Sequence, residues 1–235
     1  MAGRVAIVTG ASRGIGRAIA AHLSALGASL VLGYASSAAE AESLTASLPR
    51  AVAVRADVAD ESAVRSLFDA AESAFGCPPH ILVANAGVLD DAYPTVAATP
   101  TASSASTCAA RSCASGRRPT VFPAAARAAA AGSWRHPTGY AAYTASKAAV
   151  EALVRTMAKE LKGTRITANC VAPGPTATDM FFAGKSEATV RMCAETNPME
   201  RLGEPGDIAP VVGFLCTDAA EWVNGQVIRT NGGYV

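Results

Sequence analysis

From residue 4 to residue 84, short apolar runs alternate with longer stretches of helical period. The runs are 4–9, 29–34, 51–58 and 80–84, and the helical stretches are 15–26, 40–48 and 60–75. Gly27 and Gly76 stand where helices should stop, Pro49 follows the second helix, and Asp60 with Glu61 opens the third. A strand that is apolar at successive positions has no face for water, so both of its faces must be covered. Strands separated by helices of this length run parallel, with the helices packed over them. The pattern resumes with a helix over 143–162 stopped by Gly163, a strand over 165–171 closed by Pro173-Gly174-Pro175, helices over 186–195 and 205–216, and a last strand over 226–229. The expected fold class is α/β: a single doubly wound, Rossmann-type domain over 1–235 with a mostly parallel sheet.

Half of the 235 residues are apolar, enough for one sizeable core, and no linker or repeat divides them. The formal net charge of +1 provides no field to attract nucleic acid or an anionic membrane, so neither is expected as a partner. No apolar run approaches about 18 residues, so no membrane-spanning helix is expected. The first strand begins almost at Met1, leaving no room for a targeting segment, and the chain reads as cytoplasmic. Cys77, Cys108, Cys113, Cys170, Cys193 and Cys216 are scattered without a C-x-x-C pair, which fits free thiols in a reducing compartment. His22, His80 and His136 lack ligand spacing, and no metal is expected.

Between the first strand and the first helix lies Thr9-Gly10-Ala-Ser12-Arg13-Gly14-Ile15-Gly16. Glycine lets the backbone turn sharply and approach a phosphate without a Cβ in the way. The helix that follows directs its free N–H groups and positive dipole end at an anion. The spacing is G-x-x-x-G-x-G; a plain tight turn is the alternative. Gly139-Tyr-Ala-Ala-Tyr143-Thr-Ala-Ser-Lys147 is the second informative stretch. Tyr143 and Lys147 are four residues apart and share a helix face. An ammonium beside a phenol favours the phenolate and draws the phenol below its ordinary value of about 10. That arrangement can pass a proton to or from a carbonyl or alcohol oxygen.

Taken in order, T-G-x-x-x-G-x-G, Asn85-Ala86-Gly87, Tyr143-x-x-x-Lys147, Pro173-Gly174 and the ending Arg201-Leu-Gly-Glu-Pro-Gly-Asp-Ile-Ala209 with Val223-Asn-Gly-Gln-Val227 resemble the motifs of the short-chain dehydrogenase/reductase family. The resemblance covers residues 3–91 and 138–235, with the flavour of plant NADPH-dependent aldehyde reductases and 3-oxoacyl-acyl carrier protein reductases. It implies hydride transfer between a nicotinamide cofactor and a small carbonyl or alcohol substrate. Tyr143 would be the proton donor, and Lys147 would lower the Tyr143 pKa and bond the nicotinamide ribose. It further implies a cofactor cradle of Gly10, Ser12, Arg13, Gly14, Ile15 and Gly16, with Asn85, Ala86 and Gly87 lining it after strand four. Asp57 and Val58 would hold the adenine; Asp57 as a turn residue is the alternative. Thr176 and Thr178, after Pro173 and Gly174, would fasten the nicotinamide amide and pyrophosphate. A homo-tetramer or homo-dimer is implied as well.

The end of strand two separates NAD from NADP, because an acid there binds the ribose 2′-hydroxyl and excludes a 2′-phosphate. Here Leu32-Gly-Tyr34-Ala-Ser36-Ser37 carries no acid before Glu40, and Arg13 lies in the glycine loop. NADP(H) is therefore expected, with Arg13, Ser36 and Ser37 around the 2′-phosphate.

The chain also departs from the family. A Ser that polarises the substrate oxygen, as oxyanion donors do, should stand about thirteen residues before the Tyr. Ala130 occupies that place, and Ser133 is the nearest serine on that side. The family's proton-relay Asn has no counterpart, since no Asn occurs between Asn85 and Asn169. Residues 92–137 hold no Asp or Glu but carry Arg111, Arg117, Arg118, Arg127 and Arg135, with no strand or helix period. Strand five and its preceding helix are therefore doubtful. Two readings compete: a basic, flexible insertion that could be a partner patch, or a segment read in a slipped frame. For the second, a GC-rich string encoding 114–122 has a neighbouring frame that reads Leu-Arg-Glu-Ala-Ala-Asn-Arg-Leu, an amphipathic helix. The expected function is NADPH-dependent reduction of an aldehyde or ketone. The alternatives are 3-oxoacyl-acyl carrier protein reduction, or a non-catalytic NADP-binding protein disabled by the missing Ser and Asn. Met180, Phe181 and Phe182 read as an apolar pocket wall or as core, and the stretch 184–197 as a mobile lid over the site.

Overall fold

The computed structural model describes residues 1–87, 120–123 and 141–234, and the side chains of all of these except 120–123 and 141–144. In chain order the elements are β1 (Val5–Thr9), α1 (Gly14–Ala25), β2 (Ser29–Tyr34), α2 (Ala38–Ser47), β3 (Ala51–Arg55), α3 (Glu61–Phe75), β4 (Ile81–Val83), β5 (Thr120–Pro123), α4 (Ala141–Glu160), β6 (Ala168–Pro173), α5 (Asp179–Phe182), α6 (Glu187–Thr196), α7 (Pro205–Leu215) and β7 (Val227–Thr230). A 3-10 turn, Asp218–Ala220, joins α7 to β7.

The strands form one sheet in the order β3-β2-β1-β4-β5-β6-β7. All six pairings are parallel. The order reverses between β1 and β4, which opens a crevice at their C-terminal ends. The alternation of side chains along β1 shows why both faces must be apolar. Ala6 and Val8 pack with Ile19 and Leu23 of α1 and with Ile208, Val212 and Leu215 of α7. Val5 and Ile7 point the other way, to Leu67 and Ala71 of α3. Farther along that second face, Ala168 and Cys170 of β6 meet Val154 and Met157 of α4. The helix caps follow the sequence signals. The Asp60 carboxylate accepts from the Ser62 N–H at 2.8 Å, and Gly76 ends α3 with a left-handed turn.

Strand five corrects the sequence reading. Thr120–Pro123 pairs in parallel with β4 on one side and β6 on the other. Three β-branched or aromatic residues before a proline are too few to register as a period, so pairing with two neighbours decides the matter. The helix expected before this strand falls outside the described residues. Strand three is shorter than 51–58. Ala56 N still bonds the Tyr34 carbonyl at 2.7 Å, but the Asp57 carboxylate accepts from Ala59 N at 2.9 Å and turns the chain. Strand six starts at Ala168 rather than 165, because Arg165 takes a positive φ of 61° and pairs with Glu221 at 2.7 Å.

Cys193 and Cys216 are buried free thiols, Cys77 is a half-buried one, and Cys170 is buried in β6. Burial pushes the Cys216 thiol up to about 12. Cys108 and Cys113 lie outside the described residues. His80 Nδ1 accepts from Val5 N at 3.0 Å, and His22 packs against Gly213; His136 lies outside the described residues. Among the described residues no group of three His, Cys, Asp or Glu side chains gathers, and no helix is long and apolar enough to cross a membrane.

Candidate active site

The parallel sheet brings the loops after β1, β2, β3, β4 and β6 to one edge, and the candidate residues of the described chain lie along it. At the centre, Thr9 ends a strand of buried apolar residues with a hydroxyl. Its Oγ1 accepts from Asn85 N and Ala86 N, both at 3.0 Å. The Asn85 carboxamide returns two bonds, donating to the Thr9 carbonyl at 3.0 Å and to the Gly10 carbonyl at 3.2 Å. One threonine and one asparagine thus tie the glycine turn to the loop after β4. Thr9 belongs to the glycine motif but was not singled out by the sequence. The available signal was a polar residue closing an otherwise fully apolar strand.

The turn leaves no room for a Cβ at Gly10 or Gly16. Gly10 has a φ of +62°, and a Cβ there would lie 2.9 Å from Ala86 Cα. Gly14 has a φ of +55°. A Cβ on Gly16 would overlap the Gly10 carbonyl oxygen and stand 2.5 Å from Asn85 Nδ2. Ser12 is buried, Ile15 half-buried and Arg13 exposed. Arg13 is the extended N-cap of α1 and makes no side-chain cap bond. The α1 amides therefore face the turn without a side-chain partner, which is the donor set an anionic phosphate takes. The close backbone approach at Gly10 and Gly16 and these amides fit a dinucleotide pyrophosphate.

On one side of the cradle, β2 delivers Ser36 and Ser37, and Ala11 N bonds the Gly33 carbonyl at 3.1 Å. Arg55, at the end of β3, donates from Nε to the Ala35 carbonyl at 3.3 Å. The sequence reading did not single out this arginine, because only the sheet places the end of β3 beside the end of β2. Asp57 and Val58 lie two and three residues beyond β3, in the turn that the Asp57 carboxylate closes, so the turn-residue alternative describes its local contact.

On the other side stands Lys147. Its half-buried ammonium lies 3.9 Å from where a Cβ on Gly87 would be. Burial pushes its pKa down from the ordinary lysine value, while Cys170 opposes the shift. Tyr143 lies one turn earlier in the backbone of α4. Ser133 lies outside the described residues.

Pro173 closes β6, and Gly174 follows so near Asn231 that a Cβ would sit 2.8 Å from the Asn231 Cβ. The Thr176 hydroxyl is buried and donates to the Gly174 carbonyl at 2.9 Å. Thr178 caps α5, its Oγ1 accepting from Phe181 N at 3.2 Å. Its Cγ2 reaches within 3.3 Å of the Cβ position of Gly14, so the loop after β6 closes onto the glycine turn. The short helix α5 was not foreseen; its signal was the Thr178-Asp179 capping pair. Met180 and Phe182 are 39% and 46% exposed, which removes the core reading for them. Within 184–197, where a lid is expected, the structure has α6 capped by Ser186, whose Oγ accepts from Thr189 N at 3.3 Å.

The family model described as enoyl-(acyl carrier protein) reductase matches residues 10–235. An "NADPH-dependent aldehyde reductase-like protein, chloroplastic" of Arabidopsis thaliana is 49% identical, covering 100% of this chain and 95% of the relative. A "short-chain type dehydrogenase/reductase" of Picea abies is 48% identical, covering 100% and 93%. Among solved structures, a blue fluorescent protein from a metagenomic library in complex with NADPH superposes with a TM-score of 0.87 at 32% identity, covering 100% of this chain and 98% of the other. With its parallel sheet, its glycine cradle at the β1–β4 crevice and its lysine beside Gly87, the chain belongs to the short-chain dehydrogenase/reductase family.

Proposed function

We propose that this oxidoreductase reduces an aldehyde or ketone carbonyl with NADPH, and that Tyr143 donates the proton. The observation that carries the reading is the place of Lys147. One turn after Tyr143, its ammonium meets Gly87 at the mouth of the glycine cradle. The NADPH-bound neighbour and the plant relative named as NADPH-dependent support the cofactor.

When bound, NADPH supplies the hydride that the carbonyl carbon accepts. The remaining work falls to the chain. The glycine turn and the first amides of α1 hold the pyrophosphate. Arg13, Ser36 and Ser37 hold the 2′-phosphate, with Arg55 beside them. Asp57 and Val58 border the adenine; Asn85, Ala86, Gly87, Thr176 and Thr178 orient the nicotinamide end. The Tyr143 hydroxyl donates to the carbonyl oxygen as that oxygen gains negative charge. The Lys147 ammonium offsets the charge left on the phenol, and burial strengthens that interaction by excluding water. Ser133 is the hydroxyl proposed to polarise the carbonyl. A homo-dimer or homo-tetramer is the proposed assembly, read by light scattering of the purified chain. The plant relative is named chloroplastic, so a plastid competes with the cytoplasm as the compartment, and cell fractionation decides between them.

The test is carbonyl-dependent NADPH oxidation on a panel of aldehydes, ketones and a 3-oxoacyl thioester, run beside Tyr143→Phe. Turnover that Tyr143→Phe abolishes supports the reductase, and preference for the thioester would mark the acyl-carrier alternative. NADPH binding without turnover supports the non-catalytic reading, which Ala130 and the missing Asn favour. For residues 92–137 the proposal is a slipped reading frame; recovery of the 114–122 sequence from the natural protein by mass spectrometry would overturn it.

A further inference from the structure

The loop carrying Thr176 and Thr178 touches the glycine turn through Thr178 and borders open space beside Thr176. A cavity of about 210 Å³ lies against it, lined by Thr176, Asn197, Arg201, Asp207 and Asn231 among others. Beside that space, among the described residues, backbone bonds tie the loop to Gly203. Gly203 N donates to the Pro175 carbonyl at 2.9 Å, and the Gly203 carbonyl accepts from Ala177 N at 2.8 Å. Thr176 and Gly203 form an isolated parallel bridge.

Gly203 in turn sits inside a closed ring of charge-assisted bonds. Arg201 and Asp207 form a two-point fork, Nη1 to Oδ2 at 2.7 Å and Nη2 to Oδ1 at 2.9 Å. Asp207 Oδ2 also accepts from Glu204 N at 2.7 Å, and Arg201 Nη1 also donates to the Leu202 carbonyl at 2.9 Å. The Glu204 and Asp207 side chains complete a capping box at the start of α7. Ile208, Ala209, Val212 and Leu215 bury α7 in the main core, so the ring stands on a fixed base.

We propose that Arg201 and Asp207 are positioning residues for the nicotinamide end of the cofactor, acting through Gly203 on the Thr176–Thr178 loop. The inference rests on the cofactor reading above. The role requires no contact between either side chain and the cofactor. The fork fixes Gly203, Gly203 fixes Pro175 and Ala177, and Thr178 carries the loop against Gly14. Because the space behind is open, breaking the fork lets the loop shift without unfolding the sheet. The adenine half of the cofactor, held at the ends of β2 and β3, does not depend on the fork.

The test compares the full chain with Asp207→Ala and Asp207→Asn, the second keeping an acceptor oxygen for the Glu204 amide. Each is titrated by calorimetry with NADPH and with 2′-phospho-ADP-ribose, which lacks the nicotinamide. Hydrogen exchange at the Ala177 amide is read without either ligand. Losing a charge-assisted bond should weaken NADPH binding about tenfold in Asp207→Ala, and less in Asp207→Asn. Binding of 2′-phospho-ADP-ribose should stay unchanged while the Ala177 amide exchanges faster. Equal losses for both ligands would mean a general structural role and overturn the proposal. Unchanged NADPH affinity in both variants would overturn it too. A wild-type chain that binds neither ligand overturns the cofactor reading and this inference together, whereas unselective losses from a wild type that binds both overturn the inference alone.

Discussion

The carbonyl oxygen of Gly10 occupies the space into which any Cβ on residue 16 would project, with Asn85 Nδ2 closing the same space 2.5 Å away. Neither is the far end of a flexible side chain, since Asn85 is held by its bonds to Thr9 and Gly10. Gly16→Ala must therefore push α1 off the turn. Overpacking of this kind costs about 1–3 kcal/mol. The expected result is a lower urea midpoint together with loss of NADPH binding. A Gly16→Ala chain with wild-type values for both would show that the cradle yields.

Tyr143→Phe should keep NADPH binding within a few-fold and lose about 10²–10⁴-fold in turnover, the usual contribution of a positioned acid. Single-turnover kinetics beside a binding titration separate the two. Loss of binding in step with turnover would instead place Tyr143 in cofactor recognition.

In the proposed mechanism Lys147→Met removes the charge that favours the Tyr143 phenolate, so Tyr143 should hold its proton to higher pH. The alkaline limb of the kcat/KM profile for reduction should move up, with a lower plateau. A profile that keeps its wild-type limb would detach Lys147 from the proton step.

Arg13 is 63% exposed and 3.9 Å from Asp179, too far and too wet for that pair to hold it. It is free to turn to a phosphate. Arg13→Ala should lower the preference for NADPH over NADH by about tenfold or more, as loss of a charge-assisted bond to phosphate implies. Arg55→Ala should act in the same direction. The measurement is the ratio of kcat/KM values for the two cofactors, and an unchanged ratio in both variants would move the 2′-phosphate site elsewhere.

Acid should loosen the start of α7. The Arg201 guanidinium, with the Glu204 amide, pulls the Asp207 carboxyl down from 3.8 to about 2. In the fold Asp207 stays ionised at pH values where the unfolded chain binds a proton. Its stabilisation is thus complete above about pH 4 and is lost as pH falls from about 4 to about 2. Both partners are partly exposed, so the effect is modest and screened by salt. Urea midpoints across that window should fall more steeply for the wild type than for Asp207→Asn, and parallel curves would count against the fork.

Most of the architecture was legible because its signals are local. Runs such as 5–9 have no polar face, Asp60 and Gly76 cap α3 as their chemistry dictates, and the glycine spacing sits between a strand and a helix. Those residues act through their own conformations and immediate neighbours, so the sequence by itself determined the α/β class, the cradle and the Tyr-Lys helix. Tertiary structure alone decided what depends on pairing across distance. Thr120–Pro123 is a strand because β4 and β6 both bond it. Arg55 joins the 2′-phosphate candidates because the sheet sets β3 beside β2. Gly203 meets Pro175 and Ala177 across nearly thirty residues of chain, an encounter no local pattern encodes, because hydrogen bonds between distant backbones carry no side-chain signature.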